Sequence, residues 1–259
     1  TIAGAPVFSL PAGFYTNAQT LGLTASGAGA VIRYTLNGDE PTETSSVYTA
    51  ALTIASRIGQ SNVFSQIPTA PTGAQAQWSW MPKWAPPAGE VFKATVVRAR
   101  TFAPGKIPSP IVTQTYFVDT NMFRRYGHLP VISVTSDRKN LFDNTTGIMV
   151  PGVNYSGSTS SGNYFQRWEK ICHFEWFTSN GAEQVNQDVG VRIQGNTSCA
   201  SPQKGLSIFA RGEYGEATVA YPIFETASGR ASKEKSFDRF MLRGWGSYRG
   251  EALIYDAFS

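Results

Sequence analysis

Short runs of alternating apolar and polar residues dominate this chain, and runs with helical spacing are nearly absent. In Ile111–Phe117, the positions Ile111, Thr113, Thr115 and Phe117 alternate with Val112, Gln114 and Tyr116, the period of two that a half-buried strand requires. The same reading predicts strands at Pro6–Leu10, Gln19–Ala25, Val31–Leu36, Leu52–Ala55, Val91–Phe102 and Ile111–Val118. Farther on it predicts Leu129–Ser136, Asn163–Trp168, Ile171–Phe177, Gln184–Gln194, Gln203–Ala210 and Phe237–Arg243. Asn37-Gly38 and Asn180-Gly181 mark tight turns, since Asn-Gly between strand-like runs is a strong turn signal. Helix is expected only in Glu251–Ser259, where Ala252, Tyr255 and Ser259 recur about once per turn.

The fold class that follows is mainly β: an immunoglobulin- or fibronectin-III-like sandwich over residues 1–118, then a second β-rich block over residues 119–259. The segment Asp119–Gly127 reads as the linker. A long insert, residues 57–90, interrupts the sandwich; Pro68, Pro71, Pro82, Pro86 and Pro87 bar it from an ordinary strand or helix. It carries Trp78, Trp80 and Trp84, and two readings stand side by side. Exposed indole faces would stack sugar rings, with Trp78 and Trp80 on one side of an extended segment. Alternatively the rings form a small satellite core that pins the insert.

Charged residues make up 15% of the 259, well under the roughly 25% of an average soluble domain, while 41% hydrophobic content is too high for a disordered chain. Low charge with abundant Ser, Thr, Gly, Asn and Tyr suits an extracellular or cell-surface β-protein. A net charge of +4 is too small a surplus to imply a nucleic-acid partner, and no apolar stretch is long enough for a membrane span. Two His and two Cys give no metal-site spacing; Cys172 and Cys199 stand open as either a pair or two free thiols. His173 and Glu175 share a strand face, where a structural pair is the expected reading. Arg98 and Arg100 share another face, expected to be solvated.

Two resemblances cover nearly the whole chain. The run Ile32-Arg33-Tyr34-Thr35-Leu36-Asn37-Gly38-Asp39-Glu40-Pro41-Thr42, with Val96–Ala99 and Pro108–Tyr116, resembles the fibronectin-III-like module at the C-terminus of chitobiases and β-hexosaminidases. The runs Leu129–Val134, Asn140–Asp143, Gly147–Val150, Asn163–Glu169, Gly190–Gly195, Pro202–Lys204, Tyr221–Phe224 and Tyr255–Phe258 resemble the start of the spore-coat-protein-H (CotH) kinase family. That resemblance implies a second block like the first lobe of a divergent, secreted kinase. In that family the acidic residues that hold magnesium follow the β-rich part, so this chain is expected to be incomplete as a catalytic unit and inactive by itself. ATP and magnesium are implied only for a full-length member, and no cofactor or metal for this chain.

Lys204 is the candidate nucleotide-binding residue. It shares a face with Leu206, Ile208 and Ala210, an unusual place for a charge, and kinases need a lysine to hold ATP phosphates. The structural alternative is a packed stem whose ammonium snorkels past the strand end. Three function classes stay open: a non-catalytic part of a CotH-like protein, a carbohydrate- or surface-binding module with Trp78, Trp80 and Trp84 as its contacts, and a structural subunit whose strand edges pair between copies as a homo-oligomer.

Overall fold

The computed structural model describes residues 1–72, 81–224 and 233–244. The described chain is mainly β. In order it forms β1 (Val7–Phe8), β2 (Gly13–Tyr15), β3 (Gln19–Leu21), β4 (Leu23–Thr24), β5 (Val31–Thr35), β6 (Ser46–Val47), β7 (Leu52–Ile54), β8 (Thr95–Phe102) and β9 (Val112–Val118). There follow α1 (Met122–Tyr126), β10 (Val131–Thr135), α2 (Arg138–Leu141), β11 (Glu169–Phe177), β12 (Glu183–Gln194), β13 (Gly205–Phe209) and β14 (Arg239–Leu242).

The first five-stranded sheet runs β2-β9-β8-β5-β6, and two-stranded pieces β1-β4 and β3-β7 lie beside it. Alternation along β8 turns Thr95, Val97, Ala99 and Thr101 inward. Val97 and Ala99 meet Leu21, Leu23, Ile32, Ile54, Tyr116 and Val118 in one apolar cluster, an arrangement consistent with a β-sandwich. The second sheet is an antiparallel meander, β10-β11-β12-β13-β14. Its inner face carries Cys172, Phe174, Trp176, Val189, Val191, Ile193, Ile208 and Phe240 into the largest apolar cluster among the described residues.

The outer face of the second sheet is covered at one end by the first sheet. Phe177 lies against Phe14, Phe117 and Met122, with ring centroids 5.3 Å apart for Phe117–Phe177 and 6.3 Å for Phe14–Phe177. Strand β9 is therefore buried on both sides: Tyr116 and Val118 face the sandwich, and Thr113, Thr115 and Phe117 face the second sheet. Close approach here demands glycine. A Cβ on Gly181, at φ +83° in the β11–β12 turn, would sit 2.5 Å from Phe14, and one on Gly13 would sit 2.5 Å from the Gly181 carbonyl.

Several expectations change. Asn163–Phe165 is a 3-10 turn and not a strand. The cause is the Asn163 side chain, whose amide donates to the carbonyls of Asn144 and Gly147 at 3.1 Å each and curls the backbone around it. The segment Asp119–Gly127 holds α1, with Met122 fully buried. Strands β2 and β6 escaped the sequence reading; β2 is three residues long and pairs in parallel with β9. Arg98 and Arg100 are not on a solvated face: Arg98 donates to the Gly38 carbonyl at 2.9 Å, and Arg100 to the Ser109 carbonyl at 2.6 Å and Glu40 at 3.0 Å. The expected helix at Glu251–Ser259 lies outside the described residues.

Candidate functional site

Lys204 precedes β13 and points to the inner face of the second sheet. It is only 6% exposed. Its ammonium donates to the carbonyls of Cys199 at 2.6 Å and Ser201 at 3.0 Å, closing the 3-10 turn Thr197–Ala200. The Tyr164 ring centroid lies 3.8 Å away, so the third proton meets an aromatic face. Burial brings the lysine down to about 7 from its ordinary 10.5, with the neighbouring Cys199 opposing that shift. In this geometry the residue ties a turn to a strand, and a phosphate could reach it only by displacing those bonds.

The insert is tied to both parts of the chain. At its base, the Gly59 N–H donates to Glu90 at 2.7 Å, Asn62 donates to the Gly89 carbonyl at 2.9 Å, and the Val91 N–H donates to Asn62 at 3.1 Å. At its far side, Ala70 is buried, the Thr69 hydroxyl donates to the Pro202 carbonyl at 2.7 Å, and Met81 joins the core of the second sheet. Trp84 is half-buried. Trp78 and Trp80 lie outside the described residues.

The first part of the insert closes an open cleft of about 420 Å³. Leu36, Val63, Phe64 and Phe92 supply apolar wall, and Asn62 and Arg138 supply polar groups. Leu36, Val63 and Phe64 are exposed. Phe64 stacks on Phe142 at 5.7 Å, and the Arg138 guanidinium lies 5.4 Å from the Phe64 ring centre. Arg138 is positioned in turn by Asp39, at 3.1 Å. The sequence reading passed over this cleft, because its walls come from segments far apart in the chain.

His173 and Glu175 do not form a catalytic pair. His173 Nδ1 meets Asp188 Oδ1 at 2.8 Å, directly across the β11–β12 ladder, and its Nε2 is buried without a partner among the described residues. Glu175 is fully buried and accepts from both the backbone N–H (2.8 Å) and the hydroxyl of Thr115 on the other sheet. Ser133 bonds the same hydroxyl at 2.8 Å. Burial raises the Glu175 carboxyl to about 7, and the His173 charge and the Thr115 bonds hold it from going further. Cys172 and Cys199 are both free and buried, and burial pushes the Cys172 thiol up to about 12. Among the described residues, no three His, Cys, Asp or Glu side chains converge as a metal site, and no helix is long and apolar enough to cross a membrane.

The family model for the Chitobiase/beta-hexosaminidase C-terminal domain matches residues 10–64. That segment runs from just before β2 to Phe64 in the cleft wall. No curated protein and no solved structure matches the chain. Nothing among these findings corresponds to the CotH-kinase resemblance of the second block.

Proposed function

We propose that this chain is the glycan-facing part of an extracellular protein of the CotH-kinase type and carries out no phosphoryl transfer by itself. The observation that carries the reading is the cleft at Phe64, formed where the segment matching a carbohydrate-associated module ends. An exposed aromatic ring with aliphatic neighbours suits the C–H faces of a pyranose, and Asn62 and Arg138 suit its hydroxyl edges. The contact of Phe177 with Phe14 and Phe117 supports a module that holds the second sheet at a fixed angle to the glycan. The two domains read from the sequence, 1–118 and 119–259, are then one binding platform. Low charge supports the extracellular placement.

The test is native gel electrophoresis through soluble neutral polysaccharides, glycol chitin first. The full chain is expected to be retarded, and Phe64→Ala to migrate as in a plain gel. Equal retardation of both would remove the cleft. A Trp78→Ala/Trp80→Ala double variant run alongside separates the cleft from the tryptophans of the insert. The second reading is nucleotide binding by Lys204, favoured by its inward position at the start of β13. Incorporation of labelled phosphate that vanishes in Lys204→Ala would establish it; the bonds from Lys204 to Cys199 and Ser201 lead us to expect none.

A further inference from the structure

The open end of the second sheet's outer face gathers three arginines, Arg192, Arg211 and Arg239, against Glu169 and Glu213. Pairing sets Glu169, Arg192, Ser207 and Met241 in one row across β11 to β14, and Ile171, Gly190, Phe209 and Arg239 in the next. Three guanidinium groups, from Arg192, Arg211 and Arg239, lie 4.7, 4.9 and 5.0 Å from the centre of the single Phe209 ring. The ring is only 7% exposed, so charged groups do the covering that apolar side chains ordinarily do.

Charge is not balanced within this cluster. Glu169 accepts from Arg192 at 2.9 Å, meets Arg211 Nε at 3.0 Å and accepts from the Tyr214 hydroxyl at 2.9 Å, so its oxygens are fully engaged. Burial would raise its carboxyl, but the bonds from Arg192, Tyr214 and Arg211 outweigh that and hold it below the ordinary carboxylate range. The cluster packs closely over Gly190, where a Cβ would come within 2.3 Å of Glu169 and 2.6 Å of Tyr214. Glu213 stands at the rim, 4.0 Å from Arg211. Among the described residues, Arg239 is exposed and has no carboxylate partner, and Arg192 Nε is buried with no acceptor. Ile171 and Met241 beside the cluster are each 48% exposed, so the face is open to solvent.

We infer that this face, around Phe209, is a binding site for a tetrahedral oxyanion of the phosphate or sulfate type, held by Arg192, Arg211 and Arg239. Planar guanidinium groups fixed on a ring present their N–H edges in set directions, which suits an anion with several acceptor oxygens. The site lies on the opposite side of the sheet from Lys204 and away from the cleft at Phe64, so it stands or falls independently of the proposed function.

Calorimetric titration of the full chain with dextran sulfate, neutral dextran and inorganic phosphate tests it. Dextran sulfate is expected to bind and neutral dextran not to. Arg239→Gln is expected to weaken binding about tenfold, the loss of one charge-assisted contact. Lys106→Gln removes the same charge from an exposed loop and is expected to change affinity less than about twofold. Competition by millimolar phosphate identifies the isolated tetrahedral group as the ligand; binding of dextran sulfate without that competition identifies the polymer-borne ester. Arg239→Lys, which keeps the charge but loses the planar fork, is expected to weaken binding less than Arg239→Gln and guards against a folding artefact. No binding of either anion, or equal losses in Arg239→Gln and Lys106→Gln, would overturn the inference.

Discussion

Glu169 and Glu175 stand on the same face of the same strand, yet their surroundings push them in opposite directions. Glu169 lies where the sheet is open and is bonded to Arg192, Arg211 and Tyr214, so it keeps its charge. Glu175 lies where the first sheet covers the second, and its partners are the neutral N–H and hydroxyl of Thr115. Strand alternation alone does not distinguish the two positions. What separates them is the seating of β9 on β11, which excludes water from one end of the face and leaves the other end to the solvent and to cations.

The largest effect is expected where that seating is apolar. Phe177→Ala should lower stability by about 3–5 kcal/mol in urea unfolding, the range for removing a buried phenylalanine, whereas Ile171→Ala on the open end of the same face should change it by less than about 1 kcal/mol. Similar losses at both positions would erase the distinction between the two ends.

Lys204 tests the inner face of the same sheet. Lys204→Ala should destabilise by about 2–4 kcal/mol, because it leaves two buried carbonyls and a cavity, and Lys204→Met should lose less. The pH dependence has a definite sign. Burial lowers this lysine to about 7 against 10.5 in the unfolded chain, so between those values the unfolded state binds the extra proton and stability rises with pH. That rise should disappear in Lys204→Met.

Glu175 gives the opposite slope in a lower window. Its folded value of about 7 lies above the ordinary 4.5, so its contribution is fully present below 4.5 and is lost as pH rises through 7. The loss should be on the order of 3 kcal/mol, and Glu175→Gln should remove it. The smallest effect is expected at Glu169. Its lowered value places its contribution above the carboxylate range, lost on acidification, and Glu169→Gln should reduce stability at neutral pH by about 1 kcal/mol. A larger loss at Glu169 than at Glu175→Ala would mean that the open end, and not the covered one, holds the structure.

Much of this architecture is legible in the residues. Alternation in Ile111–Phe117 locates β9, and Asn180-Gly181 gives the turn that joins β11 to β12. What is not legible is the partner across each ladder. Asp188 opposite His173 and Thr115 beneath Glu175 depend on register and on sheet seating, which no local pattern encodes. The same holds for Arg192, Arg211 and Arg239, which come from three separate segments and meet only because β13 pairs with both β12 and β14. Asn163 shows local preference overridden: aromatic neighbours suggest a strand, and bonds from its amide to Asn144 and Gly147 impose a turn.

The claim that the first sheet sits on the second, making one platform of the two, is tested most directly by the side-chain carboxyl signals of Glu169 and Glu175 in one sample. A carbon-detected nuclear magnetic resonance titration of the full chain follows both. The account predicts that Glu175 titrates near 7 and Glu169 below the ordinary glutamate value. Two coincident titrations near 4.5 would show Glu175 exposed to water and the two sheets apart.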